Sequence, residues 1–141
     1  MEGQSSAIFS LGMLYYKGVI EQNIPKDYEK AYEYFLQTSK MGNSNSYNLL
    51  GLCYLNGHGV EKNMQKAVDC FEQGVKVGNA EAINNLGLMH DNGDGIIKNH
   101  ELAYMYYRQA AGLGNQTAKK NVLIMDSLRE QAMSRREERK K

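Results

Sequence analysis

Apolar residues recur along this chain at helical spacing, and nowhere with the strict alternation of a strand. Leu50, Cys53, Tyr54 and Gly57 follow the small Ser46 at i+4, i+7, i+8 and i+11, which is one face of a helix. After a polar, glycine-containing interval, Ala67, Val68, Phe71 and Val75 repeat the same spacing. This pair of segments occurs three times. Ala7 and Ala82 stand where Ser46 does, and Gly42-Asn43, Gly78-Asn79 and Gly114-Asn115 punctuate the chain every 36 residues. Leu50-Gly51 and Leu86-Gly87 keep that step. Leu11-Gly12 precedes its successor by 39, because the interval from Gly18 to Ala31 is three residues longer than that from Gly57 to Ala67. A period in the thirties built of helix pairs predicts a stacked array, in which each pair buries its apolar face only against a neighbour.

The breaks carry their own chemistry. Gly42, Gly78 and Gly114 are positioned to take the left-handed conformation that ends a helix, and Asn43, Asn79 and Asn115 to cap the next one. Asp27, Asn63 and Asn99 occupy the matching cap of each second helix. Gly12, Gly51 and Gly87 fall inside helices, where glycine costs about 1 kcal/mol relative to alanine. The compensation expected is close approach of the ring from the second helix, Phe35, Phe71 or Tyr107, with Ala31, Ala67 and Ala103 as the reciprocal small surface. A fourth copy starts at Ala118, but Leu123 replaces its glycine and no second helix follows. The reading is therefore an all-α solenoid of three helix-turn-helix repeats at about 5–43, 44–79 and 80–115, a capping helix at 116–128, and a basic, partly frayed helical extension at 129–141. Val122, Leu123, Ile124, Met125 and Leu128 are expected to be held by packing.

Composition changes this picture little. The chain has 141 residues, 42% hydrophobic and 23% charged, enough to bury about two-thirds of its unfolded surface without disulfide or metal. Lys+Arg 17 against Asp+Glu 16 argues against a globally basic nucleic-acid binder. Arg129, Arg135, Arg136, Arg139, Lys140 and Lys141 against Glu130, Glu137 and Glu138 leave the tail at +3 and the remainder at −2. That tail lacks the aromatic residues of a nucleic-acid surface and the apolar stripe of a membrane anchor, and reads as a solvated extension. No apolar run of membrane-spanning length exists, the opening Met1-Glu2-Gly3-Gln4-Ser5-Ser6 has no leader character, and two cysteines do not make a disulfide framework. An intracellular, cytoplasmic protein is expected. Cys53 and Cys70, on the two helices of one copy, read as buried thiols, with a bridge as the alternative.

The register of Leu50-Gly51-x-x-Tyr54-x-x-Gly57-x-Gly59-Val60 with Lys66-Ala67-x-x-x-Phe71, and of Leu86-Gly87 through Gly93-x-Gly95-Ile96, resembles the Sel-one-like repeats, relatives of the tetratricopeptide repeats. The resemblance covers residues 5 to about 128. Departures are few: Gly18 lacks the second turn glycine, His90 stands in place of Tyr and Leu102 in place of Lys. What it implies is a non-catalytic adaptor that assembles complexes by binding other proteins on a concave surface lined by the first helices.

His90-x-Asn92-x-Asp94-Gly95 with Glu101 has the outline of a calcium loop but offers nitrogen where the first hard oxygen ligand belongs. His58, His90 and His100 match no zinc spacing and read as solvated turn histidines. There is no nucleophile elbow and no phosphate loop, so no enzyme, cofactor or metal is expected. The expected partner-binding groove follows the helical phase opposite the packed face: Phe9, Met13 and Tyr16; Asn48, Leu52 and Leu55; Asn84, Leu88 and Asp91; then Lys120 and Ile124. Asn48 and Asn84 are expected to hold the main chain of an extended peptide. The partner is another protein or peptide segment, with no nucleic acid and no membrane insertion, and the protein itself a monomer. The alternative is a structural module or a piece of a longer array, self-associating through the C-terminal helix. Gly3-Gln4 supports it by standing before Ala7 as Gly42-Asn43 stands before Ser46.

Overall fold

The computed structural model describes residues 2–141. Seven α-helices follow one another: α1 (Glu2–Lys17), α2 (Tyr28–Lys40), α3 (Ser44–Asn56), α4 (Met64–Lys76), α5 (Ala80–Asn92), α6 (His100–Gly112) and α7 (Gln116–Lys140). Each packs on the next, in pairs α1–α2, α3–α4 and α5–α6 joined through α2–α3, α4–α5 and α6–α7, with α3 also touching α5. The result is the α-solenoid expected, three helix pairs and a closing helix.

The caps form where the sequence puts them. Asp27, Asn63 and Asn99 accept from the backbone N–H three residues on, at 3.1, 3.0 and 3.0 Å, and Asn79 and Asn115 do the same at 3.0 and 2.8 Å. Asn43 accepts one residue earlier, from Asn45 at 3.1 Å. Gly42, Gly78 and Gly114 follow each second helix at φ 82°, 73° and 96°.

Two contacts set the spacing of the array. Within a pair, the ring of the second helix lies against the glycine of the first: a β-carbon would fall 2.9 Å from Phe35 at Gly12, 2.5 Å from Phe71 at Gly51 and 2.8 Å from Tyr107 at Gly87. Phe35, Phe71 and Tyr107 are 0%, 0% and 1% exposed as a result. Between pairs, the end of each second helix meets the start of the next first helix through small residues. Thr38 is hydrogen-bonded to Ser46 at 2.5 Å, Gly74 leaves no room for a β-carbon beside Ala82, and Ala110 clusters with Ala118.

The second turn glycine has a separate task. A β-carbon at Gly59 would fall 2.1 Å from the Tyr28 carbonyl oxygen and one at Gly95 would fall 2.4 Å from Met64 Cβ, so each turn presses on the start of the preceding copy's second helix. At the corresponding turn of the first copy there is no such glycine, and among the described residues no helix lies against it there. Its three extra residues instead form a 3-10 turn at Ile20–Gln22 closed by the Val19–Ile24 bridge, with Asn23 at φ 56° and Ile20 98% exposed. Gly3 lies inside α1 and forms no turn like that at Gly42.

α7 departs from expectation in two ways. It runs unbroken through Leu128 to Lys140, with no boundary between cap and extension, because Arg, Glu, Gln, Ala and Met are all good helix formers. Its apolar residues are also less covered than expected. Ala118 is buried and Val122 and Met125 are half-buried, whereas Leu123, Ile124 and Leu128 are 68%, 58% and 58% exposed. The cause is that α7 packs on α6 along one side only. Among the described residues no helix is long and apolar enough to cross a membrane.

Candidate protein-interaction face

The first helices α1, α3, α5 and α7 carry the residues expected to line a groove, and the structure divides them. In the first copy Phe9 and Tyr16 pack on Phe35 with ring centroids 5.6 and 5.9 Å apart, and Met13 joins the same cluster. Tyr16 also reaches the second copy, its hydroxyl 2.9 Å from His58 Nδ1. Leu52 and Leu55 are half-buried against the core as well. These five residues are packing groups with one exposed edge.

Asn48 and Asn84 are each 4% exposed, and their oxygens are engaged between copies. Asn85 Nδ2 donates to Asn48 Oδ1 at 2.6 Å, and Asn121 Nδ2 donates to Asn84 Oδ1 at 3.1 Å. Asn48 Nδ2 donates in turn to Glu81 at 3.2 Å. A ladder of amides thus ties α3 to α5 and α5 to α7. Asn48, Asn84 and Leu88 come together with Glu81, Asn85 and Asn115 around a polar hollow of about 310 Å³.

A second hollow, of about 350 Å³, brings Asp91 and Ile124 together with residues outside the expected set: His100 and Glu101 from the start of α6, and Met125, Leu128, Arg129 and Ala132 from α7. Its floor is apolar and its rim charged. Asp91 accepts from Tyr107 at 3.2 Å and pairs with His100 Nδ1 at 2.6 Å. Burial, and next the charge of Asp91, push the Tyr107 hydroxyl well above the usual tyrosine range. Arg129 Nη2 donates to both carboxylate oxygens of Glu101, at 3.0 and 3.1 Å, and the guanidinium lies 3.8 Å from the centre of the Tyr104 ring. Lys120 is exposed and lines neither hollow.

Two of the three histidines are not solvated. His58 stacks on Tyr28 at 4.1 Å with the rings 7° from parallel. His90 is 8% exposed, stacks on Tyr106 at 5.8 Å and has Nδ1 3.3 Å from the Ile97 carbonyl, so the first position of the calcium-loop outline is turned into the core. Both correct the reading of turn histidines in water: the turn of the second copy presses on the first and carries His58 onto Tyr28, whereas His90 lies in the last turn of α5, at the position where the second copy buries Tyr54, and packs within its own copy. Among the described residues no group of three or more His, Cys, Asp or Glu side chains converges as a metal site would need. Cys53 and Cys70 are free thiols, which burial pushes up to about 12 and about 11.

The groove residues that the sequence reading overlooked, Asn85 and Asn121, carry a periodic signal: they stand 36 residues apart, each just after the groove position occupied by Asn84 and Lys120. Leu128, Arg129 and Ala132 had none, because they lie beyond the last repeat.

A solenoid of paired helices whose first helices share one face defines the α-solenoid class of repeat proteins. The Sel1 repeat model matches residues 5–43, 44–79 and 80–115, and the chain belongs to that family. The fold is similar to a Sel1 repeat protein from Oxalobacter formigenes, at 30% identity and TM-score 0.73 over 84% of this chain and 47% of that one. It is similar also to c5321, a protective antigen of uropathogenic Escherichia coli with an SLR fold, at 26% identity and TM-score 0.74 over 83% of this chain and 24% of that one. Helicobacter pylori cysteine rich protein B matches at 25% identity and TM-score 0.61, over 65% of this chain and 69% of that one. The chain thus spans less than half the length of the first two. Comparison with the curated proteins returns no match. Sel1 repeats as a family mediate protein–protein interaction and are generally non-catalytic.

Proposed function

We propose that this protein is a non-catalytic adaptor that binds a segment of another protein along the concave face of α1, α3, α5 and α7. The observation that carries this reading is the juxtaposition of a polar amide hollow and an apolar hollow on the same helices, α5 and α7. Amides that both donate and accept suit the main chain of an extended segment, and an apolar recess beside them suits its side chains. The exposed edges of Phe9, Met13, Tyr16, Leu52 and Leu55, with Lys120 on α7, would extend the contact along the array. The partner is a protein or peptide, the protein acts as a monomer inside the cell, and neither nucleic acid nor membrane is involved. Affinity capture from the source cell tests it. Leu88→Glu should remove partners that the wild-type chain retains, while Met105→Glu, on the exposed side of α6, should keep them; equal retention by both variants would contradict the reading.

One observation favours a second reading. Leu123, Ile124, Leu128 and Met133 leave α7 with exposed apolar surface at 58–68% each, which a second copy or a further helix pair would cover. Light scattering across a concentration series separates self-association from the monomer.

A further inference from the structure

We propose that the hollow between α7 and the α5–α6 junction takes one apolar side chain of an extended partner segment whose adjacent residue is cationic. This rests on the reading that partners bind the first-helix face, and adds the chemistry of the segment that fits.

The floor sets the first requirement. Ile124 and Leu128 lie one turn apart on α7, each 58% exposed, and Met125 and Ala132 extend the same apolar wall. A hollow of about 350 Å³ offers room for a large apolar side chain. The rim sets the second. Arg129 is committed to Glu101 and to the Tyr104 ring, so its charge is already matched. Asp91 is held in place by His100 and Tyr107, and among the described residues no Lys or Arg pairs with it. A cation arriving beside the apolar anchor meets a carboxylate already oriented by two hydrogen bonds, so little ordering is left to be done on binding.

The amide hollow sets the approach. Asn84 Nδ2 and Asn85 Oδ1 make no bond within the protein among the described residues, because the ladder uses Asn84 Oδ1 and Asn85 Nδ2. One donor and one acceptor therefore stay available for a peptide main chain. Asn84 and Asp91 are separated by two turns of α5, about 10 Å at 1.5 Å per residue, which an extended chain crosses in about three residues. A segment held at the amides delivers its side chain to the apolar hollow at that distance.

Fluorescence anisotropy with three labelled eight-residue Ser/Gly peptides tests this: one carrying Phe-Lys, one Phe-Glu and one Ser-Lys. The Phe-Lys peptide should bind at least about tenfold more tightly than either of the others. Leu128→Glu should abolish that binding, and Asp91→Asn, which keeps an acceptor for Tyr107, should bring Phe-Lys and Phe-Glu within about threefold of each other. Should Asp91→Asn lower the melting temperature, the wild-type comparison of Phe-Lys with Phe-Glu carries the charge test alone. Equal or absent binding of the three peptides, or Phe-Lys binding that survives Leu128→Glu, overturns the proposal. Backbone amide shifts on adding the Phe-Lys peptide separate its failure from that of the adaptor reading. Perturbation at Ile124 and Leu128 supports it. Perturbation at Asn48 and Leu88 without these overturns the hollow and leaves the first-helix face standing. Perturbation confined to α2, α4 and α6 overturns both.

Discussion

Gly51 and Phe71 touch so closely that a β-carbon at Gly51 would fall 2.5 Å from the ring. Both atoms sit in the middle of their helices and Phe71 is 0% exposed, so neither helix can yield without moving the other. Gly51→Ala should therefore destabilise the protein by about 1–3 kcal/mol through overpacking, despite the gain of up to about 1 kcal/mol in helix propensity. Gly112, the last residue of α6, has nothing within 4 Å of its would-be β-carbon and no positive φ. Gly112→Ala should be neutral or slightly stabilising. Urea unfolding of the two variants side by side checks this, and a stable Gly51→Ala would mean the pair is looser than the structure has it.

The amide ladder reverses one expectation. A groove that uses Asn48 and Asn84 only for partners would lose affinity and keep its melting temperature when both become alanine. The structure instead has both oxygens accepting across the copies, from Asn85 and Asn121, in residues 4% exposed. Asn48→Ala with Asn84→Ala should lower stability by about 1.5–4.5 kcal/mol, at about 0.5–1.5 kcal/mol for each of three bonds. Thermal melting followed by circular dichroism reads the effect directly, and an unchanged midpoint would show the ladder to be incidental.

What the sequence made legible is what repeats. The glycine–ring contacts, the six side-chain caps and the register of the helices follow from residues at fixed spacing, each with a local physical reason. The inward turn of His58 was not legible, because it depends on which neighbouring copy the turn presses against, whereas the burial of His90 follows from its standing at the repeat position that Tyr54 fills in the second copy. The exposure of Ile124 and Leu128 was hidden for a different reason: their apolar character argues for burial, and among the described residues α6 covers only the opposite side of α7. Glu101 and Arg129 meet across 28 residues that fall outside the repeat period, so no internal comparison of copies pointed to them.

The C-terminal helix divides by contact. Asp126 accepts from Tyr104 at 2.6 Å and Arg129 holds Glu101, whereas every residue from Glu130 onward is exposed. Cutting after Met133 should leave the melting temperature within about a degree of wild type. Cutting after Asn121 removes the half-buried Val122 and Met125 and both polar ties, at a cost of about 2–4 kcal/mol. Differential scanning calorimetry of the two truncations checks the contrast, and trypsin should cut at Arg135 and Arg136 well before Arg129.

Alkali should loosen the core. Burial holds the Cys53 thiol at about 12 against 9.0 for a free cysteine, and the Tyr16 hydroxyl at about 12 against 10.0. Both are neutral in the folded chain at pH values where the unfolded chain would ionise them, so unfolding releases protons there. Stability from these groups is fully present below about pH 9 and is lost as pH rises from 9 towards 12. Unfolding midpoints measured across pH 8 to 11.5 should fall only above 9, and Cys53→Ala should flatten the early part of the decline.

If partners meet the first helices, site-specific photo-crosslinking should trap them there. A benzophenone amino acid introduced in place of Leu88 on α5, and separately in place of Met105 on α6, should give partner adducts in the source cell from position 88 and none from position 105. Adducts from Met105 alone would place the binding surface on the second helices and contradict the account.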